Sequence, residues 1–577
     1  MRSRPHRRAP RAPEYLHIKC ALCIVFFALA LPATATTNFD SCMADIRNGK
    51  WGTVGGTDNY GNPVDDIQNA TAITYDLCLR ACGSGPEAFS WSDFSEQFSA
   101  WLLPYLALVS QLPFGAKNRL GNLTSVILTV GSPALAGYSL CLTVLNGRWI
   151  TRRFQHLSYP NADKAVRILS NLQQSPLRIT SDDTLLSSLI VLHQNDEWWA
   201  ELKEALDYTH TWSIAAATQI AWVVIAYVLT VIDSLSNMAN NVNSNGQGVG
   251  SVWLWLLPIV IGWLQLSPKC DYDRLRKAFD KTKSLAFVAT ANGAVKASDL
   301  SEERAFSIDG HPPGLVPDSH RRSSITRDEE LSAPIFNYAR FLPWVQAVED
   351  VATVFRVASR NANDHLSVDP NVPWNLDRDG EVDASNRSGT EEQVLVYTRP
   401  PRYARRSRWG PGVYKRVVVA SLFALMLQWG TTGAAVVVVW FTPTTGLGCR
   451  SGAYLFYGAL STFVWFLMVT SSALAHYAYP RSHRLRRLGK VLAAFNAIWI
   501  VLACLFQFSN FFDRCYCNSS VLGRGSRAYD VITDTEADLA GMRSAWIAGV
   551  LMALGCGTVF IGFVKLFLDP SEEKFYA

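Results

Sequence analysis

The chain has 577 residues, of which 49% are hydrophobic and only 18% charged, with 19 Trp and a formal net charge of +5. So small a charge on so long a chain argues against a nucleic-acid binder, and the apolar, Trp-rich composition points to lipid as a solvent. The expected fold class is all-α, a polytopic transmembrane helical bundle, and no stretch carries a catalytic or ligand-binding signature strong enough to name an activity.

Residues 1–35 read as a secretory signal peptide. Arg2, Arg4, Arg7, Arg8, Arg11 and Lys19 precede an apolar run at 20–31 and the small-residue exit Ala33-Thr34-Ala35. An uncleaved signal anchor is the alternative, and either delivers residues 36–97 to the lumenal or extracellular side. That segment, with Gly49, Gly52, Gly55, Gly56 and Gly61, looks loop-rich and too small to bury a core unaided.

Spanning a bilayer takes about 20 apolar residues in a helix. Residues 123–146, 212–232, 249–266, 417–441, 453–475, 491–511 and 543–567 qualify. Residues 98–114 are shorter and carry Pro104 and Pro113. The connector 477–490 holds Arg481, Arg484, Arg486, Arg487 and Lys490, whereas 233–248 holds no Lys or Arg, so the first belongs in the cytosol and the second outside. With 98–114 as a re-entrant or interfacial segment, every loop obeys this rule. The result is seven crossings, in a first membrane region at 98–266 and a second at 415–567, with an outside N-terminus and a cytosolic tail at 568–577.

This topology places Cys42, Cys78, Cys82, Cys449, Cys515 and Cys517 on the oxidising side as disulfide candidates and leaves Cys270 in the cytosol. Cys78 and Cys82 would share one helix face, so Cys42 can pair with either while the other reaches Cys449, Cys515 or Cys517. Disulfide pairing is preferred to a metal site. The sequons at Asn69 and Asn518 fall outside as glycosylation candidates, and a third, at Asn386, would be cytosolic and unused.

The stretch Trp101-Leu102-Leu103-Pro104 recurs as Trp255-Leu256-Leu257-Pro258, an echo too short to establish a duplication. The region 267–414 is expected to be a largely disordered, basic cytosolic loop, Pro, Ser and Asp-rich at 301–334 and again at 361–390. Between these, Trp344, Val348, Val351 and Phe355 recur at helical spacing and predict an amphipathic helix over 341–359 that docks on the membrane or the bundle. Residues 267–414 are also where cytosolic protein partners would bind. Residues 375–383 resemble part of a calcium loop, but position twelve is Asn386 rather than Glu, which argues against a cation site. Arg321-Arg322-Ser323-Ser324 has the form favoured by basophilic kinases, making Ser324 a phosphorylation candidate. Arg399, Arg402, Arg405, Arg406, Arg408, Lys415 and Arg416 suit lipid headgroups better than nucleic acid.

Ala545, Gly549, Ala553 and Gly557 repeat every four residues and form a helix-packing face, within the bundle in the preferred reading and between subunits in the other. The spans hold almost no ionisable residues, which argues against proton-coupled transport. Their polar intruders are Gln219, Gln428, Asn496, Gln507 and His476. There is no H-E-x-x-H, no G-x-S-x-G and no Walker loop, so an enzyme is not expected, nor a cofactor. His193, Asp196 and Glu197 read as part of a helix at the membrane surface rather than as an acid/base cluster.

The run Phe89-Ser90-Trp91-Ser92-Asp93-Phe94-Ser95-Glu96-Gln97-Phe98, continuing through Trp101-Leu102-Leu103-Pro104 to Gln111-Leu112-Pro113-Phe114-Gly115, resembles a block in uncharacterised multi-span membrane proteins of filamentous fungi. Gly131-Ser132-Pro133 and Leu145-Asn146-Gly147-Arg148-Trp149 resemble the same group. The resemblance implies a membrane class and brings no activity or catalytic residue. The expected function is that of a sensor, receptor-like or scaffold protein at the plasma membrane or in an endomembrane of the secretory pathway. The alternative is a transporter or channel for a small solute, marked by a polar cavity at mid-membrane.

Overall fold

The computed structural model describes residues 37–114, 119–180, 182–208, 212–236, 248–267, 271–300, 304–308, 336, 338, 340–376, 382–399, 409–475 and 479–568, without the side chains of 40, 119–121 and 479. The signal-peptide region, Cys270, Ser324 and His476 lie outside the described residues.

The chain begins in a small head. Helix α1 (Phe39–Arg47) starts where the Asn38 side chain accepts from Ser41 N, and α2 (Tyr75–Cys82) where Thr74 accepts from Leu77 N. Between them lie the short strands β1 (Gly56–Thr57) and β2 (Ala72–Thr74). Helix α3 (Trp91–Gln97) continues through a π-helical turn, Phe98–Leu102, into α4 (Leu103–Val109), where Pro104 sits in the first turn and needs no N–H partner. Next come α5 (Arg119–Gly131) and α6 (Pro133–Phe154), bent by 105° at Ser132. Ser132 precedes a proline, which disfavours helical backbone there.

Helices α7 (Ala162–Asn171), α8 (Asp183–Val191) and α9 (Asp196–Leu206), with β3 (Arg178–Ile179), follow. A long apolar helix, α10 (Ile214–Ser236), and the pair α11 (Val249–Trp253) and α12 (Leu256–Leu266) lead to α13 (Tyr272–Thr282). Then come the hairpin β4 (Phe287–Thr290) and β5 (Gly293–Lys296), β6 (Phe306–Ser307), α14 (Phe341–Asn363) and α15 (Glu391–Thr398). The chain finishes with α16 (Val413–Trp440), α17 (Cys449–Leu474), α18 (Tyr479–Phe508), β7 (Tyr529–Val531) and α19 (Glu536–Phe567).

The protein is therefore mostly helical. Among the described residues, six helices are long and apolar enough to cross a membrane: Ile214–Ser236, Val249–Leu266, Val413–Trp440, Cys449–Leu474, Pro480–Phe508 and Glu536–Phe567. The bent α5–α6 pair makes a seventh if it counts as one. Val249–Leu266 is the most enclosed of the six and Ile214–Ser236 the least, which puts the first at the centre of the bundle and the second at its edge.

At one end of the bundle, β1, β2 and β7 form an antiparallel sheet in which Ile73 faces Asp530, so the N-terminal segment shares its core with the α18–α19 connection. At the other end, α7–α9, α13–α15 and two small sheets pack together as a second folded unit, with Trp199, Phe306 and Phe355 fully buried.

Three expectations are corrected. The span 123–146 is not one helix but a pair broken at Ser132. The segment 98–114 does not stand alone, because its helix begins at Trp91. The region 267–414 is not largely disordered among its described residues: Val368, Asn386 and Arg387, inside the stretch read as disordered, are buried.

Candidate functional site

The residues of the head enclose a polar cavity of about 460 Å³ at the end of the bundle. Disulfides Cys42–Cys82, Cys78–Cys515 and Cys449–Cys517 frame it, so all six sequence candidates are paired and Cys42 takes Cys82 while Cys78 reaches Cys515. They tie α1 to α2, and α2 and the start of α17 to the α18–α19 connection. A cluster of Cys78, Cys82 and Cys515 sulfurs has the spacing of a metal site, but each is consumed in a disulfide.

Four carboxylates, Glu87, Asp513, Asp530 and Asp534, and two guanidiniums, Arg47 and Arg450, line this cavity. Arg450, in the first turn of α17, pairs with Asp513, both largely buried. Arg47 donates to the Thr533 hydroxyl. Asp530 is different. Strand alternation on β7 sends Tyr529 toward Asn59, whose carbonyl accepts from the Tyr529 hydroxyl at 2.9 Å, and turns Asp530 the other way. There its side chain is only 6% exposed. One carboxylate oxygen lies 3.8 Å from Cys78 Sγ, which as a disulfide sulfur has no proton to donate. Burial, then repulsion from Asp513, only partly offset by Arg450, pushes the Asp530 carboxyl up to about 7. Asp534 is also raised, by burial and then by Asp538.

The polar intruders of the spans have other work. At the Ser132 break, Gln428 Oε1 accepts from Ala134 N at 3.1 Å, and its amide nitrogen donates to Gly458 O at 2.8 Å and Thr462 Oγ1 at 2.9 Å. Asn496 donates to Gly131 O at 2.9 Å and Tyr457 O at 3.0 Å, and the Tyr457 hydroxyl donates to Val130 O at 2.7 Å. These side chains satisfy backbone groups that a broken helix would otherwise leave bare in an apolar interior. Gln507 accepts from the Tyr454 hydroxyl at 3.3 Å, and Gln219 sits apart on peripheral α10. The four are not brought together in one polar cavity.

At the opposite end, Asp196 is held by Arg387 through two bonds of 2.6 and 2.7 Å, and His193 meets the Ser388 hydroxyl at 3.3 Å. Burial, then the Arg387 charge, keeps the His193 imidazole below its usual range. Arg387 also donates to Val191 O at 3.1 Å, so this cluster clamps the 382–391 loop to α8 and α9. Asn386, the third sequon and the twelfth calcium-loop position, is buried and bonded to the Asn375 backbone. Residues 377–381 of that loop lie outside the described residues. The amphipathic helix is α14. It docks on the end of α6 through Arg153–Glu349 at 2.7 Å, Trp149–Trp344 and Phe154–Phe355.

Of the glycosylation candidates, Asn69 is exposed and Asn518 is half-buried at the cavity wall. The face Ala545, Gly549, Ala553 and Gly557 turns inward: a Cβ on Gly549 would stand 2.9 Å from Val438 Cγ2, and one on Gly557 3.9 Å from Pro258. Sequence reasoning missed Asp513, Asp530 and Arg450 because it sought functional charge within the spans. Compared with family models, curated proteins and solved structures, the chain matches none, so the reading of its function rests on its own residues.

Proposed function

We propose that this is a receptor-like sensor of the cell surface or secretory pathway, whose head cavity takes a small ligand on the outside and whose bundle passes occupancy to a folded cytosolic unit. The observation that carries it is continuity. The cavity wall includes the adjoining ends of α16 and α17, and α16 runs from there to Arg416, whose guanidinium lies 4.1 Å above Trp149 beside α14. Polar side chains inside the bundle are spent on holding helices together rather than on lining a path.

The same organisation supports seven net crossings. The chain leaves the head near Ala88 and enters the opposite unit after Phe154, one net traverse, and six long helices add six. That first traverse is shared. Phe98–Leu102 packs beside α11 and α4 beside α12, so Trp91–Val109 descends from the head, while α6 runs from the polar cluster at Gln428 to the far end. The disulfides and the sequon at Asn69 at the head, against Arg481, Arg484, Arg486 and Arg487 at the other end, support an outside head.

Hydrogen exchange on the full chain in lipid nanodiscs tests the coupling. Arg450→Ala, which removes Asp513's counter-ion, is expected to change exchange in Phe341–Asn363, with peptide mapping to check that Cys78–Cys515 is intact. Changes confined to the head would refute the sensor reading.

The break at Ser132 favours a second reading, a transporter or channel, because discontinuous helices often surround substrate at mid-membrane. Solute flux in proteoliposomes that is lost in Asn496→Leu would replace the first reading with this one.

A further inference from the structure

We propose that the head cavity binds a small organic cation, a protonated amine, with Asp530 as its counter-ion; this rests on the receptor reading above and names its ligand class. The cavity holds more acid than base. Arg450 pairs with Asp513 and offsets the charge of Asp530 only in part, and Arg47 donates to Thr533. A carboxylate 6% exposed and without a donor is costly as an anion unless a cation reaches it. The space in front of it is open and polar, large enough for a small organic molecule.

The geometry distinguishes the kind of cation. Among the described residues, the carboxylates of this cavity do not converge into a cluster of three or more ligand atoms, the arrangement a bare divalent ion needs. An ammonium group asks for less: one anionic partner and further acceptors. Asp534 and Glu87 supply more negative charge around the same space, and the hydroxyls and carbonyls of the α16–α17 loop add neutral acceptors. An anionic ligand would have to displace Asp513 from Arg450 and face Asp530 directly.

The groups facing Asp530 also set how its affinity depends on pH. Burial and then Asp513 disfavour its ionised form, Arg450 favours it, and Glu87, Asp534 and Arg47 line the same cavity. An amine binds only the ionised form, so acid weakens binding.

The test is calorimetric titration of the full chain in nanodiscs with putrescine, its neutral analogue 1,4-butanediol, and inorganic phosphate. Putrescine is expected to bind saturably at pH 8, with a loss of more than tenfold in Asp530→Asn. In the unmodified chain, which needs no variant to fold, affinity is expected to fall roughly 30-fold between pH 8 and pH 5.5 as Asp530 takes up its proton. Absence of saturable putrescine binding, equal binding to Asp530→Asn, or a preference for butanediol or phosphate would overturn the proposal. Amine binding without any change in Phe341–Asn363 exchange would keep this site and refute the sensor reading. A coupled response to Arg450→Ala without amine binding would do the reverse.

Discussion

Replacing Asp530 by Asn should remove a pH-dependent weakness from the head. In the folded protein burial pushes its carboxyl up to about 7 from an ordinary value of 3.8, a difference worth about 4 kcal/mol. The folded state keeps a proton that the unfolded chain releases. Stability from this group is therefore complete below about pH 4 and is lost as pH rises to about 7. The Asn amide is always neutral but is itself buried, at a cost of about 1 to 3 kcal/mol. The net expectation is a head about 1 to 3 kcal/mol more stable than the unmodified protein at pH 8, with the advantage gone or reversed at pH 4. Because the whole chain need not unfold in one step, the assay is hydrogen exchange at the β2–β7 ladder, where Ile73 pairs with Asp530, corrected for intrinsic exchange at each pH. Protection that follows the same pH course in both proteins would refute the reasoning.

Non-reducing peptide mapping should recover Cys42–Cys82, Cys78–Cys515 and Cys449–Cys517, and Cys449→Ser with Cys517→Ser should cost about 2 to 4 kcal/mol of head stability, read by exchange. Gly549→Ile should lower thermal stability in detergent by about 1 to 3 kcal/mol, since its side chain meets Val438 and the Ala434 carbonyl, whereas Gly555→Ala, with open space at its Cβ, should be neutral. Arg387→Ala should destabilise the second folded unit by about 1 to 3 kcal/mol, read as increased exchange in α8 and α9, because the buried Val191 carbonyl loses its donor while the half-exposed Asp196 is left to solvent. Asn69→Gln should remove one glycan from protein made in a secretory host, and a sequon engineered into 477–490 should gain none, both read by glycosidase shift.

The long apolar helices were legible because a bilayer selects for uninterrupted apolar length. Their ends were less so, since a helix does not stop where its apolar run does: Tyr479–Phe508 begins twelve residues before the predicted span at 491 and includes Arg481 to Lys490. The break at Ser132 had a signal in Gly131-Ser132-Pro133, masked by the apolar residues on either side. The second folded unit, at the far end of the bundle, was illegible for a different reason. Its core is assembled from segments far apart in sequence, so Val368 or Arg387 looks solvated locally and becomes buried only when α8, α9 and α14 meet it. Asp530 shares that fate, because nothing in Tyr529-Asp530-Val531 separates a surface acid from one enclosed beside a disulfide.

The bridge between Cys78 and Cys515 joins positions 437 residues apart. During synthesis, the edge of β2 that takes β7 therefore stays open and the Cys78 thiol of α2 stays without its partner until residue 515 and the strand after it have been made. Any product that terminates before residue 515 leaves Cys78, and Cys449 where it has been made, without a partner, so thiol-dependent surveillance can tell such a product from one whose head has closed.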